Sequence, residues 1–184
     1  MLTVNLSPFP VLTTPRLLLR EITPDDADGI FMLRSSNEVM KYIDRPRAKT
    51  IEDGLEFIRK IETALKENNG ISWGIALKEN PRLIGNIGLW RIIREHYRAE
   101  IGYLLDPAFQ GKGIMQEAME AVIAFGFNEL NLHSIEADVN PENSASVRLL
   151  ERNKFVLEAH FHENFFFEGK FLDSLIFSLL APTK

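Results

Sequence analysis

Apolar and polar positions along the chain keep two rhythms: a near-alternation that predicts strands, and a three-to-four spacing that predicts helices. Residues 1–14 keep neither. Pro8, Pro10 and Pro15 block helix there, so this segment reads as an extended arm. Arg16 to Ile22 (RLLLREI) is the first strand. Thr23-Pro24-Asp25-Asp26 then supplies a capping hydroxyl, a proline at the first helical position and acid in the first turn. A short helix to about Ser35 follows, and a second short segment holds Val39 to Ile43. Thr50-Ile51-Glu52-Asp53 is another capped start, close to a capping box. Ile51, Leu55, Ile58, Ile61 and Leu65 recur at helical spacing to about Asn69, and Gly70 ends that helix.

Three strands come next, over 71–78, 83–93 and 98–105, with turns at Asn80-Pro81 and around Glu95-His96. From Gly113 a long helix runs to about Leu130. Its polar residues Glu117, Glu120 and Asn128 make one narrow stripe and nearly everything else is apolar, so most of its surface must be covered. Ser134 to Val139 alternates as a strand, and Asn143 starts a helix to about Asn153. Two closing strands, 156–167 and 171–180, turn at Glu168-Gly169. This order predicts an α+β fold with one mostly antiparallel sheet of seven strands and a strand–helix–strand unit around the long helix. No linker divides the chain, so residues 1–184 are expected to form a single domain.

Composition narrows the function without naming it. The formal net charge is −5, which leaves no basic footprint for nucleic acid and would suit a cationic or amine partner. The absence of cysteine removes disulfides, thiolate metal ligands and a cysteine nucleophile, and agrees with a reducing cytosol. The opening residues lack a signal-peptide pattern, and no apolar run reaches the roughly 20 residues of a membrane helix. A cytoplasmic protein with no membrane partner is expected.

The most informative stretch is Glu100-Ile101-Gly102-Tyr103-Leu104-Leu105-Asp106-Pro107-Ala108-Phe109-Gln110-Gly111-Lys112-Gly113-Ile114-Met115. A strand ends at Asp106-Pro107, and a glycine-containing turn leads into the long helix. The first turn of a helix carries unpaired N–H groups and the positive end of the macrodipole, which together attract phosphate. Gly111 and Gly113 would let the backbone approach an anion, and Lys112 adds positive charge. A P-loop is excluded, because Asp106 stands where its first glycine belongs and Gly113 where Ser or Thr must follow the lysine. A dinucleotide fingerprint fails at Gln116. An ordinary glycine-rich turn remains the competing reading.

Gln110-x-x-Gly113-x-Met115 resembles the pyrophosphate-binding motif of the GNAT acetyltransferase superfamily, Arg/Gln-x-x-Gly-x-Gly/Ala. The similarity covers nearly the whole chain. Arg16-Leu17-Leu18-Leu19-Arg20 looks like that family's first strand, and Ala99-Glu100-Ile101-Gly102-Tyr103 like its fourth. Asn140-Pro141-Glu142-Asn143-Ser144-Ala145-Ser146, followed by Arg148-Leu149-Leu150-Glu151, resembles its Asn-x-x-Ser helix start. The branch suggested is the one that includes ribosomal-protein N-terminal acetyltransferases. Two positions depart from the pattern. Met115 replaces a small residue, though its side chain could join Met119 and Val122 in the core. Lys154 stands where many relatives have glycine, with Asn153 as the expected left-handed helix end.

The resemblance implies a sheet whose fourth and fifth strands splay apart, flanked by four helices, with acetyl-CoA as cosubstrate and no metal. Backbone N–H groups from Gly111 through Lys112, Gly113 and Ile114 to Met115, in the turn opened by Gln110, would hold the pyrophosphate. The pantetheine arm would pair along Leu104 and Leu105, and Asn143 would hydrogen-bond it. Asn143 also reads as a plain N-cap, and the two roles are compatible. Ser146 would lie near the thioester sulfur. Glu100 is the favoured general base, against the alternative of a strand glutamate paired with Arg98 or Lys112. Glu163 is its rival. Tyr103 or Ser146 could protonate the leaving thiolate, and alternation along the strand turns Tyr103 away from Glu100, which favours Ser146.

The expected reaction is transfer of acetyl to a primary amine by direct attack, the acceptor being a small molecule or a peptide such as a protein N-terminus. A non-catalytic CoA-binding sensor on the same fold is the alternative. His160 and His162 share a strand face, but without a matching carboxylate they do not read as a metal site. Trp73, Trp90 and Phe165 to Phe167 read as packing residues that could line an acceptor pocket. Asp25-Asp26 and Glu52-Asp53 are helix-start acids. A homodimer through the closing strands is left open.

Overall fold

In the computed structural model, which describes residues 1–182, eight strands form one sheet in the order β1-β2-β3-β4-β5-β6-β8-β7. The strands are β1 Leu12–Thr13, β2 Leu17–Glu21, β3 Ile71–Leu77, β4 Asn80–Ile93, β5 Arg98–Leu105, β6 Ser134–Val139, β7 Val156–Phe167 and β8 Lys170–Leu180. Every neighbouring pair is antiparallel except β5 and β6. The helices are α1 Ala27–Ser35, α2 Ile51–Lys66, α3 Ile114–Asn128 and α4 Ser144–Arg152. The parallel pair is the one joined through α3, since parallel neighbours need a crossover between them.

The extra strand lies in the predicted arm. Two residues, Leu12 and Thr13, pair with Leu19 and Leu18 at the edge of β2. A strand that short leaves no readable alternation. The turn expected at Asn80-Pro81 falls instead on Lys78 and Glu79, and Asn80 already pairs with Leu77. Residues 39–43 form hydrogen-bonded turns rather than a regular element.

Helix starts follow the capping chemistry. Thr50 and Asp53 close a reciprocal capping box on α2. Thr23 and Asp26 do the same for a single 3-10 turn that runs into α1. Asp26 is buried, which by itself would raise its carboxyl; the Arg20 guanidinium at 2.7 Å and 2.8 Å and the Thr23 N–H hold it below the usual carboxylate range.

The sheet has a core on each face. On one, Ile71, Trp73, Ile75, Ile87 and Leu89 pack with Met115, Ala118, Met119, Val122 and Phe125 of α3 and Leu150 of α4. Leu2 and Leu6 of the arm join this cluster, which supplies the cover α3 requires. Met115 packs with Met119 and Val122 as its spacing predicts. On the other face, Ile22, Ala27, Ile30, Leu33, Ile58 and Ile61 seat α1 and α2. The site is assembled between these layers.

Candidate active site

β5 and β6 pair at only three positions, Arg98 with Ser134, Ala99 with Ile135 and Glu100 with Glu136. Beyond them β5 stays bonded to β4 as far as Leu105, and β6 stays bonded to β8 as far as Val139. The β6-facing edge of residues 101–105 therefore has no strand partner, and a wedge opens between two parallel strands. Such an edge can accept an extended ligand as an added strand. Leu104 and Leu105 lie on it, and the Leu105 carbonyl accepts from Gln110 Nε2 at 3.2 Å.

The turn at the mouth of the wedge is built for close approach. Asp106 Oδ1 accepts from the Ala108 N–H at 2.9 Å and starts a 3-10 turn over Pro107–Phe109. Gly111 and Gly113 then adopt left-handed conformations, φ 69° and 74°, which favour glycine. A Cβ on Gly113 would lie 3.3 Å from Arg16 Nη2. Glu117 N–H makes the first helical bond, to the Gly113 carbonyl, so the amides of Ile114, Met115 and Gln116 precede any intrahelical acceptor.

Two cations flank this turn. Lys112 folds back, its Nζ donating to the Ala108 carbonyl at 2.7 Å. Arg16, read from sequence only as strand, donates through Nη1 to the Lys112 carbonyl at 2.8 Å and pairs with Glu117 at 2.6 Å. No local pattern could have placed Arg16 there, because it and Lys112 are 96 residues apart.

Alternation sorts the β5 side chains. Tyr103 faces α4, where its hydroxyl meets Ser146 Oγ at 2.5 Å. The two candidate thiolate donors, weighed against each other from the sequence, are thus one hydrogen-bonded pair. Burial raises the Tyr103 phenol to about 12 against the opposing Ser146 bond, so it stays protonated through neutral pH. Ser146 is buried, and Asn143 Oδ1 accepts its N–H at 3.1 Å, which realises the N-cap role. The departure at Lys154 resolves differently from expectation: Lys154 itself takes the left-handed conformation, φ 68°, and Asn153 does not. Asn153 instead ties α4 to the first turn of α3 through two bonds with Gln116, at 2.9 Å and 3.0 Å.

Glu100 faces the α1–α2 side, opposite Trp90 in the register. Its partner is neither Arg98 nor Lys112 but Arg91, at 2.9 Å. Arg98 pairs with Glu136. Burial pushes the Glu100 carboxyl above its ordinary value; Arg91 pulls it back, and the charges of Asp138 and Glu136 push it further up. Trp90 covers the paired Gly88 and Gly102, since a Cβ on Gly102 would meet its Nε1 at 3.3 Å. Glu100 and the Tyr103–Ser146 pair consequently stand on opposite faces of the sheet at the start of the wedge.

Glu163 is not brought to this place. It lies exposed on β7, the edge strand, with β6 and β8 between it and β5. The reading of His160 and His162 also changes, because β8 supplies the carboxylate that the sequence pattern lacked: Asp173 stands between them.

Residues 16–156 match the family described as the acetyltransferase (GNAT) domain. The chain is 36% identical over 174 residues to the uncharacterized N-acetyltransferase YoaA of Bacillus subtilis, covering 95% of this chain and 98% of that one. Spermidine N-acetyltransferase from Vibrio cholerae, solved in complex with CoA and spermine, superposes with a TM-score of 0.81 at 28% identity, over 91% of this chain and 97% of that one. Ribosomal-protein-S5-alanine acetyltransferase from Vibrio fischeri gives 0.81 at 25% identity, over 94% and 97%.

Proposed function

The chain belongs to the GNAT acetyltransferase family, whose members are acetyl-CoA-dependent N-acetyltransferases, and on that footing we propose that its wedge aims the thioester at a primary amine. The observation that carries this reading is the unpaired edge of residues 101–105, which leads from the glycine turn to Glu100. Fit to the cosubstrate is supported by the turn itself. A Cβ on Gly111 would meet nothing within 4 Å, the amides of Ile114 and Met115 precede any intrahelical acceptor, and Lys112 would offset diphosphate charge, with Arg16 beside it already paired to Glu117.

The residues divide the proton work by face. An amine attacks only as the free base, so one proton must leave the ammonium. Glu100, its carboxyl raised above the ordinary value by burial, takes it through water. The amine nitrogen bonds to the acetyl carbon, the carbon–sulfur bond breaks, and the thiolate collects a proton from the Tyr103–Ser146 pair on the other face; the second proton shed by the nitrogen as the amide forms passes to water, and water reprotonates the pair. Direct attack suits a chain without cysteine. The acceptor arrives from the α1–α2 side, where Asp138 beside the Glu100–Arg91 and Glu136–Arg98 pairs favours a cation, either a small polyamine-like molecule or a peptide N-terminus.

Glu100→Gln should lower turnover with an accepted amine by about 10²-fold while CoA affinity is kept. The check is thiol release from acetyl-CoA, together with CoA titration. Unchanged turnover between pH 6 and 9 would remove Glu100 from the base role. No thiol release with any amine of a broad panel, alongside tight CoA binding, would replace catalysis with sensing.

A further inference from the structure

We propose that His160, His162 and Asp173 form a binding site for one divalent transition-metal ion of the zinc, nickel or copper class. The site lies on the β7–β8 hairpin, apart from the wedge, and does not depend on the acetyl-transfer reading.

The geometry begins with an irregularity in the hairpin. Phe161 pairs with Ser174 and Phe165 with Leu172, so residues 162–164 of β7 face the single residue Asp173 of β8. Extra residues on one strand form a bulge, which bends the strand and re-aims its side chains. Glu163 takes a left-handed conformation at the turn of this bulge, φ 51°, and its N–H donates to Asp173 Oδ1 at 2.9 Å. The carboxylate is held from behind by the backbone while its other oxygen points at the two imidazoles.

Those imidazoles converge. On a regular strand, residues two apart stand roughly 7 Å from each other. The His160 and His162 ring centroids are 4.1 Å apart. Asp173 Oδ2 lies 2.8 Å from His160 Nε2 and 3.0 Å from His162 Nδ1, and the three donor atoms all fall within 4.8 Å of one another. Ligands at about 2.1 Å from a tetrahedral ion stand about 3.4 Å apart, so an ion seats here with ångström-scale movement of exposed rings.

The chemistry of the set selects the ion. Two imidazole nitrogens and one carboxylate oxygen suit zinc, nickel or copper, whereas magnesium and calcium prefer oxygen throughout. The Glu163 N–H on Asp173 Oδ1 leaves Oδ2 aimed at both imidazoles, so the carboxylate offers one oxygen to an ion. Binding exchanges two hydrogen bonds to the carboxylate for two metal–nitrogen bonds; each neutral imidazole then carries its one proton on its other ring nitrogen, Nδ1 of His160 and Nε2 of His162. The Glu163 N–H remains behind Asp173, the orienting contact that metal ligands generally require. His162 is 74% exposed, which leaves room for water in the remaining coordination position and predicts modest affinity. The ion would pin the bulge of the edge strand to its neighbour.

The test uses the full chain with any histidine tag removed. Calorimetric titration with zinc chloride, repeated with nickel chloride, should show one equivalent bound with a dissociation constant in the micromolar range. Magnesium should give no signal. Asp173→Asn and, separately, His160→Gln should weaken zinc binding at least tenfold, with circular dichroism confirming that both variants remain folded. His162→Asn serves where either fails to fold. No zinc binding at millimolar concentration overturns the proposal. So does binding retained by the variants, which would place the ion on other histidines.

Discussion

Arg91 holds a backbone conformation that non-glycine residues seldom adopt. It adopts a left-handed conformation, φ 47°, where the β4–β5 register shifts between Trp90 and Ile93. A non-glycine residue in that region is strained by about 1–2 kcal/mol, and the strain here turns its guanidinium onto Glu100. Arg91 thereby opposes the burial that lifts the Glu100 carboxyl. In the proposed role Glu100 would act as a base above its raised pKa, so the acid limb of kcat/KM should sit above the ordinary carboxylate value. Removing the cation in Arg91→Ala lifts the pKa further and moves that limb to higher pH. Because Arg91 is 70% exposed, the pair is worth about 0.2–1 kcal/mol, or up to roughly 0.7 of a pH unit. A pH–rate profile that stays in place, or moves toward acid, would contradict the link.

At the scale of elements, what could be read in advance was what is local. The capping boxes at Thr23 and Thr50 mark their helices because donor and acceptor lie three residues apart. The glycine turn before α3, the alternation of β6 and the Glu168-Gly169 hairpin turn are likewise written in a few adjacent residues. What escaped depends on distance or irregularity. Arg16 reaches Lys112, and Asp173 reaches His160 and His162, only after the sheet has assembled. The sense in which Arg91 and Glu163 point is set by register shifts that simple alternation does not encode. Tyr103 was placed correctly by alternation as facing away from Glu100, yet its contact with Ser146 needed the position of α4.

The end of α4 offers an element-scale test. Lys154 holds a left-handed conformation with a side chain that disfavours it. Lys154→Gly should relieve that strain and stabilise the chain by up to about 1 kcal/mol, which for a chain of this size raises Tm by about 2–4 °C. An unchanged or lower Tm would show that the lysine contributes more than its backbone costs.

For the molecule as a whole, the N-terminal arm is structural. Leu2 and Leu6 are buried in the α3 core, Phe9 stacks edge-on against Trp73 at 6.2 Å, and Trp73 Nε1 donates to the Pro10 carbonyl at 2.6 Å. Leu6 N–H also reaches Asn68 Oδ1 at the end of α2. Burying two leucines contributes about 1.5–3 kcal/mol each, a large share of the 5–15 kcal/mol typical of a domain. Deleting residues 1–10 should therefore lower Tm by about 6 °C or more, read by thermal melting. A deletion that melts with the intact chain would mean that the arm merely lies on the surface.

The placement of the wedge also bears on how such a chain can diversify. Its glycine turn, α3 and the Ser146 end of α4 occupy one side of the sheet, while α1, α2, Trp90 and Glu100 occupy the other. On the proposed reading, drift in the first two helices would remodel which amine is admitted while leaving the donor's cradle intact. After duplication, a gene of this architecture can acquire a new client without relearning the chemistry.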